Sequence, residues 1–135
     1  TGLTLVPMTD AAAALRGCET VVTATSAQTA LLKDAEMPSS ASIVHVGSKA
    51  AGASEVPASL YRRASRLITD APAELAARFT GTVVQAAGRR PDEVMPLSGD
   101  GCPTSGGLRL YISLGVSGAE VVLARALLTV LGSAR

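Results

Sequence analysis

Two apolar runs limit what this chain can fold into more than any other feature: Val21-Val22-Thr23-Ala24-Thr25-Ser26 and Ile43-Val44-His45-Val46-Gly47-Ser48-Lys49. Each breaks off in small polar residues or glycine. A continuous apolar run suits a parallel strand covered on both faces, and a small-residue end lets such a strand bring backbone to a ligand at the carboxyl edge of the sheet. No glycine-rich strand-to-helix turn precedes either run, so the pattern is that of the later half of an open, doubly wound sheet.

The rest of the chain continues the alternation. Leu3-Thr4-Leu5-Val6 reads as a short strand ending at Pro7, and Thr9 or Asp10 caps a helix over 11–16 that Gly17 closes. Strands are expected over 20–24, 42–46 and 66–69, with a helical turn over 30–35 and a helix over 57–63. Asp70 and Pro72 open a further helix to about residue 78. Residues 82–86 fit helix or strand. Residues 96–107 form a Gly/Ser/Pro-rich loop, and 108–113 alternate as a strand. The helix from Ala119 to Leu131 carries only Arg125 and Thr129 as polar residues between Val121 and Leu131, so it has almost no face for water. Two accounts fit it: a partner subunit, or a position sunk between the sheet and the terminal loops. Together these elements predict one α/β domain over 1–135, three-layered, with a mostly parallel sheet, right-handed crossovers and a loop insertion at 96–107.

With 135 residues a core is feasible, and since Tyr61, Phe79 and Tyr111 are the only aromatic residues it must be built from Ala, Val and Leu. The net charge of +1 supplies no field for nucleic acid, and the doublets Arg62-Arg63 and Arg89-Arg90 lack aromatic platforms. Cys18 and Cys102 make neither a disulfide framework nor a metal-ligand spacing, and read as reduced thiols of a cytoplasmic protein. No leader and no membrane-length apolar run is present. The missing initiator Met fits its removal or a chain cut from something longer.

Gly17-Cys18-Glu19-Thr20-Val21-Val22-Thr23-Ala24-Thr25-Ser26, then Val46-Gly47 with Gly52 and Glu55, then Leu110-Tyr111-Ile112-Ser113-Leu114-Gly115 and Glu120, in this order and spacing, resemble the ornithine cyclodeaminase and mu-crystallin family. That family comprises NAD(P)-linked cyclodeaminases, imine reductases and some alanine dehydrogenases. The similarity runs from about residue 3 to 128 but covers only the later part of the family's nucleotide domain, a truncated Rossmann-like unit. It implies NAD or NADP as cofactor, or none in a chain this short. It also implies that Thr23, Thr25, Ser26, Val46 and Gly47 lie against the dinucleotide, with Ser113 and Gly115 approaching the nicotinamide. Where the family commonly carries its proton-transfer acid this chain has Lys49, and Ala51-Gly52-Ala53 stands in place of Pro-Gly-Lys. The glycine-rich turn and the substrate domain have no counterpart here.

Lys49, after a glycine at a predicted strand end, is the first catalytic candidate, because burial there lowers an amine's pKa toward acid-base or imine chemistry; the plainer reading is a solvated loop lysine. His45, the one histidine, is the second, and its plainer reading is a hydrogen-bonded packing residue. Cys102, beside Asp100 in the glycine-rich loop, reads as a thiol nucleophile or as an incidental surface cysteine. The helix dipole accounts for Glu120, and strand-end capping for Ser113. No metal site is expected.

Two functions follow. In one, the chain is part of an NAD(P)-linked amino-acid or imine oxidoreductase or cyclodeaminase. In the other, it is a shortened, repurposed relative that binds a small molecule or catalyses a non-redox step in specialised metabolism. A homo-oligomer or a companion chain through Ala119 to Leu131 is expected in either.

Overall fold

The computed structural model describes residues 4–97, 106–115 and 119–132. Asp10 begins the first helix, α1 (Ala11–Leu15), by accepting from the backbone N–H groups of Ala12 and Ala13 at 3.2 Å each. There follow β1 (Thr20–Thr23), a 3-10 turn over Asp34–Glu36, β2 (Ser42–His45), and a two-stranded hairpin of β3 (Lys49–Ala50) and β4 (Ala53–Ser54). Next come α2 (Ala58–Arg63), β5 (Arg66–Thr69), α3 (Pro72–Ala77), α4 (Val83–Ala86), a second 3-10 turn over Pro91–Glu93 and β6 (Val94–Pro96). The last elements are β7 (Arg109–Ile112) and α5 (Ala119–Gly132).

Five strands form one parallel sheet in the order β1-β2-β7-β5-β6, and the β3–β4 hairpin stands apart from it. Thus the last strand is inserted at the centre, between β2 and β5. On one face, Ile43, Leu67, Leu110 and Ile112 are fully buried, packed with Leu60, Tyr61, Leu75, Val83 and Val84 from α2, α3 and α4. The core is aliphatic as expected, with one exception: Tyr61 is its largest fully buried side chain.

Several expectations are corrected. Residues 4–6 form no strand, and Leu5 and Val6 are 89% and 67% exposed. A strand needs a neighbour to take its backbone groups, and no strand among the described residues pairs with them. The helical turn shrinks to Asp34–Glu36. Asp70 caps nothing; α3 starts at Pro72 behind Ala71 without a side-chain cap. The ambiguous residues 82–86 are helical, because the Thr82 hydroxyl accepts from the Gln85 N–H at 3.3 Å. Val94–Pro96, taken partly as loop, pairs in parallel with β5, with proline tolerated because β6 is an edge strand. Every described side chain of α5 from 121 to 129 is exposed, which removes the account that sinks this helix between sheet and loops. The 98–105 stretch, with Asp100 and Cys102, and the Glu120 side chain lie outside the described residues. Among those described, no helix is long and apolar enough to cross a membrane.

Candidate active site at the carboxyl edge of the sheet

The strand order decides what can meet. β1, β2 and β7 are neighbours, with Thr23 beside His45 and His45 beside Ile112 in register. Their carboxyl ends therefore deliver 24–26, 46–47 and 113–115 to one edge of the sheet. Backbone hydrogen bonds tie these ends together: Val46 N–H and Gly47 N–H donate to Thr23 C=O at 2.8 and 3.3 Å, and Ser113 N–H donates to His45 C=O at 3.0 Å. Thr25 and Ser26 are exposed, Val46 is 47% exposed and Thr23 is buried.

Lys49 sits in the β3–β4 hairpin rather than at the end of a main strand, a structure its sequence did not announce. The hairpin is moored on the α3–α4 turn by an Ala51 N–H to Gly81 C=O bond of 2.8 Å and by a bridge between Ala50 and Thr82. The ammonium donates to the carbonyls of Val46 at 2.7 Å and Gly47 at 2.5 Å. Burial brings its pKa down to about 8, against the opposing pull of Glu55 and Asp70. With Ser113, Leu114, Leu75, Arg78 and Thr82, Lys49 lines an open cleft of about 350 Å³. Thr23, Thr25, Ser26 and Val46 are not part of that lining.

His45, the second catalytic candidate, lies away from the cleft. Its side chain is fully buried, its Nδ1 lies 2.5 Å from the Tyr61 hydroxyl, and its Nε2 faces Glu55 Oε2 at 3.7 Å. Burial, helped by Lys49, pulls its pKa to about 4. The ring is therefore neutral at pH 7, and none of its surface reaches the cleft.

Two carboxylates organise the edge, and the sequence reading gave neither this task. Glu55, fully buried, accepts from the Thr25 N–H at 2.5 Å, while its own backbone C=O takes Leu31 N–H at 2.8 Å and Leu32 N–H at 3.3 Å. Burial alone raises its pKa, but the Thr25 hydrogen bonds lead the interactions that more than offset this and hold it below the ordinary carboxylate range. The backbone of Gly47 lies so close that a Cβ there would overlap the Glu55 carboxylate. Asp70 accepts from Ser113 Oγ at 3.1 Å and Leu114 N–H at 2.9 Å. Those bonds outweigh its burial and hold its carboxyl below the usual range. Gly115, with φ of +77°, turns the chain away immediately afterwards. An acid following a strand end was the one available signal for Asp70. For Glu55 it was a lone charge in the small-residue run Ala53-Ser54-Glu55-Val56.

Among the described residues no group of three His, Cys, Asp or Glu side chains could hold a metal. Cys18 is a free thiol donating to Ala14 C=O at 3.0 Å. Arg63 pairs with Asp34 at 2.7 Å and Arg89 with Glu93 at 3.1 Å, so both basic doublets are partly spent on local structure.

No protein-family model matches the sequence, and no curated protein does. Solved structures share the fold. One is a probable ornithine cyclodeaminase from Bordetella pertussis Tohama I, 21% identical, with 87% of this chain aligned to 40% of that one at a TM-score of 0.63. Another is the iminosuccinate reductase of Paracoccus denitrificans in complex with NAD+, 23% identical, with 82% of this chain aligned to 36% of that one at a TM-score of 0.65. This chain thus spans well under half the length of either. The fold is that of a truncated Rossmann-like α/β domain, and it agrees with the resemblance carried by the sequence motifs.

Proposed function

We propose that this chain supplies the nicotinamide side of a dinucleotide site in an NAD(P)-linked oxidoreductase or cyclodeaminase of the ornithine cyclodeaminase kind. The observation that carries this reading is the meeting of three small-residue strand ends, 23–26, 46–47 and 113–115, at one edge of a parallel sheet. Ligands of open α/β sheets bind at the carboxyl edge, and the backbone there is accessible and braced by the carboxylates of Glu55 and Asp70. Thr25, Ser26, Val46 and Gly47 would hold the cofactor, with Ser113 and Gly115 toward its nicotinamide; bound, it would supply hydride transfer. The described residues fit only that end, because none forms a glycine-rich turn leading into a helix N-terminus able to take a pyrophosphate.

Calorimetric titration with NAD+, NADH, NADPH and nicotinamide mononucleotide tests the reading. Binding of the mononucleotide should be weak, and the dinucleotides should bind no better, since their pyrophosphate and adenosine gain no contacts. No binding of any of the four would sink the proposal.

A second reading has its own observation, the half-buried Lys49 in the cleft. A carboxylate can exchange a proton beside a forming iminium, whereas an ammonium repels that cation. In this reading the chain has given up cyclodeamination, and Lys49 holds an anion or, when neutral, attacks a carbonyl. Lys49→Asp should then fail to give ornithine or lysine cyclodeamination, while Lys49→Ala should remove small-molecule binding. Unchanged affinity in Lys49→Ala would make Lys49 a plain surface lysine.

A further inference from the structure

Three polar side chains lie end to end inside an otherwise aliphatic core and lead to the carboxyl edge of the sheet. Tyr61 of α2, His45 at the end of β2 and Glu55 just after β4 are each fully buried. Phe, Leu and Met would fill the same space without desolvating a hydroxyl, a ring nitrogen and a carboxylate, so these residue types answer to more than packing.

The chemistry of the three groups fixes how they connect. Burial raises the Tyr61 phenol above its ordinary pKa, so it keeps its proton and donates to His45 Nδ1 at 2.5 Å, the two rings standing edge to face. An accepting Nδ1 leaves the one proton of the neutral ring on Nε2. Nε2 faces Glu55 Oε2 at 3.7 Å, and neither atom has a hydrogen bond of its own among the described residues. The opposite tautomer would aim a ring lone pair at a carboxylate oxygen, in surroundings too dry to screen the repulsion. The Ser48 carbonyl also favours a proton on this ring, while Lys49 disfavours a charge on it.

The last link reaches the candidate site. Glu55 Oε1 accepts from the Thr25 N–H, and the carboxylate lies against the backbone of Gly47. One side chain thus meets the segments that leave both β1 and β2. His45 stands at the carboxylate oxygen that Thr25 does not take. We infer that Tyr61 and His45 are positioning residues for the carboxyl edge: Tyr61 sets the His45 tautomer, Nε2–H orients the Glu55 carboxylate, and Glu55 holds the Thr25 N–H and the Gly47 backbone in place for a ligand. Neither Tyr61 nor His45 touches that ligand. The inference rests on the proposed function only for the identity of the ligand.

His45 is the one histidine, so long-range proton–nitrogen NMR of the whole chain reads its tautomer without ambiguity. In the wild type the proton should sit on Nε2, and the Thr25 amide proton should resonate far downfield, as a short bond to a carboxylate requires. Tyr61→Phe keeps the aromatic ring and removes the hydroxyl. The histidine should then populate both tautomers and the Thr25 proton should move upfield, while the Leu114 proton, held by Asp70, stays where it was. Rescue separates positioning from packing: in His45→Gln the amide can accept from Tyr61 and donate to Glu55, so the Thr25 shift should be kept, whereas His45→Leu should lose it. Nicotinamide mononucleotide should bind several-fold more weakly to Tyr61→Phe and His45→Leu than to the wild type and His45→Gln. A proton on Nδ1 in the wild type overturns the inference, and so does a Thr25 shift or a mononucleotide affinity that Tyr61→Phe and His45→Leu leave unchanged. If no protein binds the mononucleotide while the resonances behave as expected, the proposed function falls and the relay stands.

Discussion

The residues that control the candidate site are those that burial has set against their ordinary chemistry. Burial keeps His45 neutral down to about pH 4, whereas an unfolded chain would protonate it near 6.5. Between those values the unfolded state binds a proton that the folded state refuses, so stability must fall as the pH drops from 6.5 to 4. Glu55 loses its stabilising charge only as the pH falls below its ordinary value of 4.5, and Lys49 works at the other end. With a folded pKa of about 8 against 10.5, Lys49 has shed a proton the unfolded chain retains, so stability rises with pH across that interval. His45→Gln keeps a polar partner for Tyr61 but cannot titrate. Its urea midpoint should fall less than that of the wild type between pH 6.5 and 4; parallel curves would refute the assignment. Gly47→Ala should cost about 1–3 kcal/mol in urea unfolding, because its φ is ordinary and the penalty is the overlap of a Cβ with the Glu55 carboxylate. That penalty should shrink when Glu55→Ala is already present.

Among the elements, four of the five strands of the sheet were legible because each is a continuous run bounded by glycine, proline or small polar residues. β1, β2, β5 and β7 lie within a residue or two of their expected bounds. The β3–β4 hairpin was not legible: two pairs of residues around Ala51-Gly52 carry no alternation, and what holds them is the α3–α4 turn, some 30 residues further on. Asp70 shows a related failure. It sits where a helix cap belongs, yet its carboxylate turns to the end of β7, 43 and 44 residues away, because that strand is inserted beside β5. Removing it with Asp70→Ala takes away the hydrogen bonds that Thr69, Ser113 and Leu114 donate to a charged acceptor and should destabilise the fold by about 1–3 kcal/mol. Hydrogen exchange should show the accompanying opening at Ser113 and Leu114, while β1 stays protected. Equal loosening of both strand ends would mean Asp70 acts through the whole sheet instead.

For the whole molecule, the distinctive property is a parallel sheet with α2, α3 and α4 packed on one face, while on the other face Val22 and Met95 of its two edge strands stand exposed. The sequence by itself determined the class of the fold, the parallel strands, the aliphatic core and the three small-residue strand ends, because periodicity and punctuation are local properties of the chain. It also marked Lys49 and Ser113. Tertiary structure alone decided that β7 enters the middle of the sheet, that His45 is withdrawn behind Glu55, and that Asp70 and Glu55 brace the strand ends. It also denied residues 4–6 a place in the sheet, although their pattern reads as a strand. The physical reason is the same in each case. A hydrogen-bond partner or a burying neighbour distant in the chain is chosen by the packing of the whole, and no window of sequence contains both members of the pair.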